Sequence, residues 1–184
     1  GQIEQTVNNI KSDSSPPWEA KLFLKSRLSF SNDKYYYFYF TEGPSCDPNF
    51  LISDSNDGHF DNAVLGVKLL IPGDGYIYIS GNADDYFDRH RKFIMENNKI
   101  SEVPQPVYYV GINSVAKEEI ILYSEKELIN PSAKIKLGDS VFVILCDMGK
   151  TFLLKNEYGI VGWSNINVNS YYNHSIKDIY YHGD

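Results

Sequence analysis

Long apolar runs are missing from this sequence of 184 residues. A helix that crosses a bilayer needs about 20 consecutive apolar residues, and no stretch approaches that length. We therefore predict no transmembrane segment. The first residues give a separate indication of location, because Gly1 has the character of a tag remnant and Gln2 begins a polar leader typical of a mature end left after export. The sequence favours an exported protein.

Basic charge is also scarce, with 17 Lys and Arg against 24 Asp and Glu and a formal net charge of −7. The acidic excess is present in both parts of the chain. Residues 1–115 carry 10 basic and 15 acidic side chains, and the remainder carry seven and nine. A surface that binds nucleic acid must neutralise phosphates with Lys and Arg. We therefore exclude nucleic acid as a predicted partner.

Cysteine is limited to Cys46 and Cys146. A disulfide between them is compatible with export, whereas two unpaired thiols are the more common arrangement in a chain of this size. Only geometry decides between the two, so the sequence leaves the pairing open.

Catalytic and metal-binding patterns are absent as well. None of the four histidines lies in a nucleophile elbow or a Cys-His signature. The acidic residues Asp54, Asp57 and Asp61 flank Gly58, but an EF-hand counted from that glycine has Val64 where a Glu ligand is required. We predict a protein that is not an enzyme and has no metal or cofactor.

Aromatic residues are plentiful, with 15 Tyr and 10 Phe against two Trp. Residues 35–40 are all aromatic, and the period of two in a strand divides them into two different faces. One face, Tyr36, Phe38 and Phe40, is expected in the core. The other face, Tyr35, Tyr37 and Tyr39, is expected either to be covered by a second layer or to bind a ligand.

Further strands follow from short apolar runs between turn residues. We interpret residues 41–62 as a long loop, 64–71 as one buried strand and 76–79 as its partner. Residues 84–103 fit a helix through Tyr86, His90, Phe93 and Ile94. They also fit a hairpin that turns at Asn97-Asn98, and we favour the hairpin, with Phe93 and Met95 facing inward opposite Ile100.

The stretch from Ile135 to Trp163 consists of three short strands separated by tight turns. Its motifs are Leu137-Gly138-Asp139, the β-branched run Val141–Ile144 and the closing Gly159–Trp163. This pattern resembles the bacterial SH3-like (SH3b) family. The resemblance implies a small barrel that holds peptide or glycan ligands through aromatic side chains near its last turns, here Phe152, Tyr158 and Trp163. Trp163 has an alternative role as the plug of the barrel core.

The resulting fold prediction is all-β, an aromatic-rich antiparallel β domain followed by a docked SH3-like small barrel. We predict a flexible leader at residues 1–17, the β domain at 18–113, the barrel at 114–169, and a tail at 170–184 that packs back. In residues 140–146 one apolar face contains Val141, Val143 and Leu145. The opposite face contains Phe142, Ile144 and Cys146, and we expect the N-terminal domain to cover it.

The functional prediction is a non-enzymatic, exported bacterial protein that is periplasmic or at the cell surface and monomeric. Its expected partner is a cell-wall peptide or glycan, or an envelope protein that carries one. The alternative is a protein–protein interaction module, an inhibitor or accessory subunit, that uses the tyrosine-rich sheet faces.

Overall fold

The computed structural model describes residues 20–29, 33–42, 47–55, 59–60, 62–81, 84–147, 151–168 and 172–183. These residues form 14 strands and no helix, in three antiparallel sheets, so the predicted all-β class is confirmed. The chain divides into two compact units, residues 1–83 with 90–104 and residues 84–89 with 105–184. The predicted leader and Cys46 lie outside the described residues.

The first unit contains eight strands in two sheets. They are β1 (Lys21–Ser26), β2 (Tyr36–Thr41), β3 (Asn49–Ser53), β4 (Asn62–Leu65), β5 (Lys68–Leu70), β6 (Tyr76–Gly81), β7 (Arg89–Glu96) and β8 (Lys99–Glu102). One sheet has the order β1-β2-β3-β4 and the other β5-β6-β7-β8. Phe38, Ile52, Ile77, Ile79 and Phe93 form one core that draws on both sheets. The two sheets are therefore packed on each other.

Strand β2 shows the predicted alternation. Tyr36 and Phe38 lie in the core between the sheets, and Phe40 packs against it. Its neighbour β3 was not predicted, since residues 41–62 were interpreted as loop. That interpretation is wrong because Phe50 and Ile52 place their side chains in the core and pair with Phe40 and Phe38.

The predicted single strand at residues 64–71 is divided into β4 and β5, so that interpretation is also wrong. The chain leaves the first sheet at Gly66 and enters the second at Val67, whose N–H donates to the Ser80 carbonyl at 2.8 Å. A Cβ on Gly81 would lie 2.8 Å from the Gly66 Cα, so the two glycines allow the backbones to cross in close contact.

The predicted hairpin is confirmed by β7 and β8, which pair with Met95 opposite Ile100. Both turn residues have positive φ, 50° at Asn97 and 65° at Asn98, as a two-residue type I′ turn requires. Phe93 is buried in the core between the sheets, and Met95 and Ile100 pack against it.

The buried Asn62 side chain joins the two sheets at one side of this unit. Its Oδ1 accepts a hydrogen bond from the Ile100 N–H at 2.7 Å, and its Nδ2 donates to the Asn98 carbonyl at 2.8 Å. Because Asn62 belongs to β4 and Ile100 to β8, one amide group links edge strands of different sheets.

The second unit contains six strands in one sheet. They are β9 (Tyr108–Val115), β10 (Ile120–Tyr123), β11 (Pro131–Ile135), β12 (Ser140–Cys146), β13 (Thr151–Asn156) and β14 (Val161–Asn165). The order is β11-β10-β14-β13-β12-β9, and no described pairing joins the edge strands β11 and β9 into a closed barrel. Strand β9 runs across residue 113, where we predicted a domain boundary.

The inner face of this sheet carries the core of the second unit. Leu122, Ile135, Val143, Phe152 and Leu154 are among its fully buried residues. The pairing of β12 shifts between Val143 and Leu145, which marks a β-bulge. The bulge turns Cys146 into the core and Leu145 away from it, so the predicted faces of β12 are wrong beyond Val143.

Two chain segments complete this core from outside the sheet. Ile176 and Ile179 of the tail are fully buried, and Ile176 forms a β-bridge with Ala116. Phe87 enters the same core from residues 84–89. In that segment the 4% exposed Asp85 pairs with Arg89, at 2.6 Å between Oδ2 and Nε.

Candidate functional site

An apolar row crosses the outer face of the six-stranded sheet, on the side opposite the core. Its members are successive cross-strand partners: Tyr109 with Leu145, Leu145 with Leu153, Leu153 with Trp163, and Trp163 with Tyr123. We call these five residues the outer row. None of them belongs to a core cluster. Tyr109 is 60% exposed and the other four are half-buried, so the row is accessible from outside this unit.

Strand spacing sets the length of the outer row. Five strands contribute one residue each, and neighbouring strands lie about 4.8 Å apart, so the row extends for about 19 Å. The row runs across the strands, with an aromatic ring at each end and an indole between Leu153 and Tyr123. A ligand that lay along it would therefore be extended and would contact rings at both ends.

An ion pair lies beside the indole of the outer row. The Lys126 Nζ is 3.0 Å from Asp147 Oδ2 and 5.9 Å from the centre of the Trp163 ring. Asp147 is held in turn, because its Oδ1 accepts a hydrogen bond from the Thr151 N–H at 3.0 Å. The row thus has a charged pair beside its indole.

A cleft opens where the outer row ends at Tyr123. The described ladder between β10 and β14 contains the single pair Tyr123 with Trp163. The two strands meet closely at Gly162, where a Cβ would lie 2.8 Å from the Leu122 Cβ and 2.9 Å from the Tyr123 carbonyl oxygen. Beyond this point lies a cleft of about 220 Å³, with Tyr123 and Asn165 on its border with the outer row. Its lining is Glu118, Glu119, Ile120, Ile121, Tyr123, Leu128, Ser164, Asn165 and Ser175.

The two carboxylates of the cleft are held by neighbouring side chains. The Ser175 hydroxyl donates a hydrogen bond to Glu118 Oε1 and accepts one from the Asn167 N–H at 2.8 Å. Lys134 Nζ lies 2.8 Å from Glu119 Oε2, at the exposed side of the cleft. Among the described residues each carboxylate has one side-chain partner, and it retains lone pairs that can accept further hydrogen bonds.

The residues predicted from the SH3b resemblance are not brought together. Phe152 is fully buried in the core of the second unit, so a ligand does not reach it in this structure. Tyr158 is 79% exposed in the turn between β13 and β14, where its hydrogen bond with Glu157 raises the pKa of the phenol above the ordinary value of 10.0. Trp163 lies in the outer row and outside the core, which removes its alternative role as a core plug.

The predicted tyrosine face of β2 is mostly covered. Tyr39 is buried in a small cluster with Leu22 and Leu51, and the ring of Phe60 packs edge-on against it with centroids 4.7 Å apart. Tyr37 packs against the same cluster. Tyr35 is 43% exposed and has Lys25 Nζ over its ring at 4.6 Å. Of the three tyrosines, Tyr35 alone is exposed.

Sequence reasoning missed most of the site. Tyr123 was not singled out because it ends a four-residue strand, and Tyr109 was considered only as part of a tyrosine-containing run. The available signal was alternation in β13 and β14, where Leu153 and Trp163 occupy odd positions between inward-facing residues. Glu118 and Glu119 carry no recognisable motif.

Other kinds of site receive no support from the geometry of the described residues. No group of three or more His, Cys, Asp or Glu side chains in this part of the chain is arranged to hold a metal ion. The described residues also contain no helix that is long and apolar enough to span a membrane.

Comparison with known proteins identified no protein similar to this chain. No family model matches the chain, and neither the curated proteins nor the solved structures contain a significant match.

Proposed function

We propose that this chain is a non-enzymatic, exported bacterial binding protein that recognises the cell wall polymer peptidoglycan through the outer row. The second unit is the binding module in this proposal, in the role that the SH3b resemblance implies for residues 137–163. The single observation that carries the proposal is the row itself, a line of apolar and aromatic side chains that crosses five strands and belongs to no core.

The composition of the outer row supports a ligand rather than a further layer of this unit. A soluble domain places its strand residues alternately in the core and in water, so outward positions are normally polar. Here five successive outward partners are Tyr, Leu, Leu, Trp and Tyr. Exposed apolar surface of this kind marks interaction sites, and Trp and Tyr rings combine a flat apolar face with one hydrogen-bond donor.

The dimensions of the row favour a polymer. A ligand about 19 Å long corresponds to roughly six extended peptide residues or to several linked sugar rings. The faces of sugar rings are apolar, whereas their edges carry hydroxyls. Such a ligand matches a row with aromatic rings spaced along it and polar groups, Lys126 and Asp147, at its margin.

A sedimentation assay with purified, insoluble peptidoglycan tests the proposal. The wild-type chain is expected to sediment with the polymer, and Trp163→Ala is expected to lose at least nine-tenths of the bound fraction. Tyr172→Ala, which alters an exposed tyrosine of the same unit that is not a member of the row, serves as the matched control and should bind like wild type.

Two outcomes contradict the proposal. If Tyr158→Ala loses binding while Trp163→Ala retains it, the ligand occupies the turn between β13 and β14 instead of the outer row. If the wild-type chain does not sediment with peptidoglycan but is retained by purified envelope proteins, the chain is a protein–protein interaction module.

A further inference from the structure

The cleft between β10 and β14 has no role in the binding surface described so far. It lies at the end of the outer row, and Tyr123 belongs to both. A volume of about 220 Å³ is below the range of roughly 300–1,000 Å³ that is typical of sites for whole small ligands. The cleft therefore suits one group of a longer ligand that continues onto the row.

The hydrogen-bonding character of the cleft restricts what that group is. Ionised Glu118 and Glu119 accept hydrogen bonds and donate none, so the group must present donors. Lys134 already neutralises Glu119, whereas Glu118 has the uncharged Ser175 hydroxyl as its partner and keeps its negative charge, so both neutral and cationic donors satisfy the electrostatics. Hydroxyl groups meet the requirement without a second positive charge beside Lys134.

The remaining lining adds an apolar surface to these acceptors. Ile121 and Leu128 are apolar, Tyr123 contributes an aromatic ring, and Asn165 offers both a donor and an acceptor. A group with hydroxyls on its edge and C–H bonds on its face fits this mixture. We propose that the cleft is a subsite for one sugar ring of a glycan, with Glu118 and Glu119 accepting hydrogen bonds from its hydroxyls. This inference rests on the proposed function and specifies that the protein binds the glycan part of peptidoglycan.

The exposed Glu118 is attached through its carboxylate to a buried serine. Ser175 is buried, and its hydroxyl is fixed on one side by the Asn167 N–H and on the other by Glu118. Its own N–H donates to the Asn167 carbonyl at 2.9 Å, and its carbonyl accepts from the Lys117 N–H at 2.8 Å. One oxygen of the Glu118 carboxylate is thus held by a fixed hydroxyl before any ligand arrives, which lowers part of the cost of ordering this exposed side chain on binding.

Calorimetric titration with two soluble probes tests the subsite. One probe is a set of glycan strands from which the peptide stems have been removed, and the other is the free peptide stem. Wild type is expected to bind the glycan strands and not the peptide. Glu118→Gln and Asn165→Ala are each expected to weaken glycan binding at least fivefold, because Gln replaces an acceptor oxygen with a donor and Ala removes an amide.

Controls separate the subsite from the outer row and from folding. Glu127→Gln, at an exposed position of the loop that contains Leu128, removes the same charge outside the cleft and should leave affinity unchanged. Thermal unfolding of each variant identifies any that fails to fold. Lys134→Met keeps Glu119 but removes its neutralising charge. It should change glycan affinity by less than twofold if the ligand is neutral.

The possible failures are distinguishable. If wild type binds glycan and Trp163→Ala weakens it, but Glu118→Gln and Asn165→Ala bind like wild type, the subsite is refuted and the outer row stands. If the peptide stem binds instead and Lys134→Met strengthens it, the cleft takes a cationic group and the sugar assignment is refuted. If wild type binds neither probe nor intact peptidoglycan, both proposals fail together.

Discussion

Single residues in this protein differ in role according to which side of a strand they occupy. Phe152 and Leu153 are chain neighbours on β13, but Phe152 is fully buried in the core and Leu153 lies beside Trp163 in the outer row. The same alternation on β14 places Gly162 inward and Trp163 outward. The stability of the second unit therefore depends on one set of side chains and its proposed binding on another.

Substitution of the two aromatic residues should separate these roles. We expect Phe152→Ala to lower the free energy of unfolding by about 3–5 kcal/mol, since it leaves a cavity in a closed core. Trp163→Ala should cost only about 1–2 kcal/mol, because the indole is half-buried and no core closes around it. Urea unfolding followed by circular dichroism measures both. Equal losses in the two variants would place Trp163 in the core after all.

Among the elements, β14 has a tight steric requirement at one residue. It touches β10 at Gly162 and Trp163, and this crossing determines where the cleft opens. A glycine is needed there because any side chain would meet the Leu122 Cβ and the backbone of Tyr123 at less than 3.0 Å. The position of the cleft therefore depends on Gly162.

Gly162→Ala tests this coupling. The added methyl group must push β14 away from β10, and we expect a loss of about 1–3 kcal/mol in the free energy of unfolding, the usual cost of overpacking. Val161→Ala, at an exposed position of the same strand, is the control and should change stability by less than about 0.5 kcal/mol. If the stability of Gly162→Ala in urea is unchanged, the contact between β14 and β10 accommodates a methyl group and the expectation is wrong.

At the scale of the whole molecule, the second unit is assembled from two separate stretches of chain. Residues 84–89 contribute Phe87 to its core, and the His182 N–H donates to the Asp85 carbonyl at 2.8 Å. The Asp85 carboxylate pairs with Arg89, whose guanidinium lies 5.3 Å from the ring centre of Tyr108. This short segment and the C-terminal tail are therefore integral parts of one unit.

Removal of one member of the buried ion pair should be costly. Asp85→Ala leaves the guanidinium of Arg89 largely buried without its carboxylate, and we expect a loss of about 3–5 kcal/mol in the stability of the second unit. Asp88→Ala, three residues away and exposed, should have a much smaller effect. Hydrogen exchange of the β12 and β13 amides reports on this unit specifically, and unaltered protection in Asp85→Ala would contradict the expectation.

The parts of the fold that were predictable from the sequence are those set by local patterns. The Asn97-Asn98 turn and the strands around Gly159 follow from neighbouring residues alone. The short run Phe50-Leu51-Ile52 was too brief to stand out among polar residues, and the bulge at Val143–Leu145 has no sequence signal. The site was the least predictable part, because Tyr123 and Trp163 are 40 residues apart and become partners only through the order of the sheet.

The amide of Asn62 has a consequence for behaviour in concentrated solution. An edge strand presents free backbone groups that another molecule can pair with, and proteins avoid self-association by occupying or hiding them. The Ile100 N–H and the Asn98 carbonyl are such groups, and Asn62 satisfies both, as a neighbouring strand would. Without this side chain the β7–β8 hairpin offers an open template for intermolecular β-pairing. Asn62→Ala should therefore form dimers or fibrils at concentrations where the wild-type chain remains dispersed.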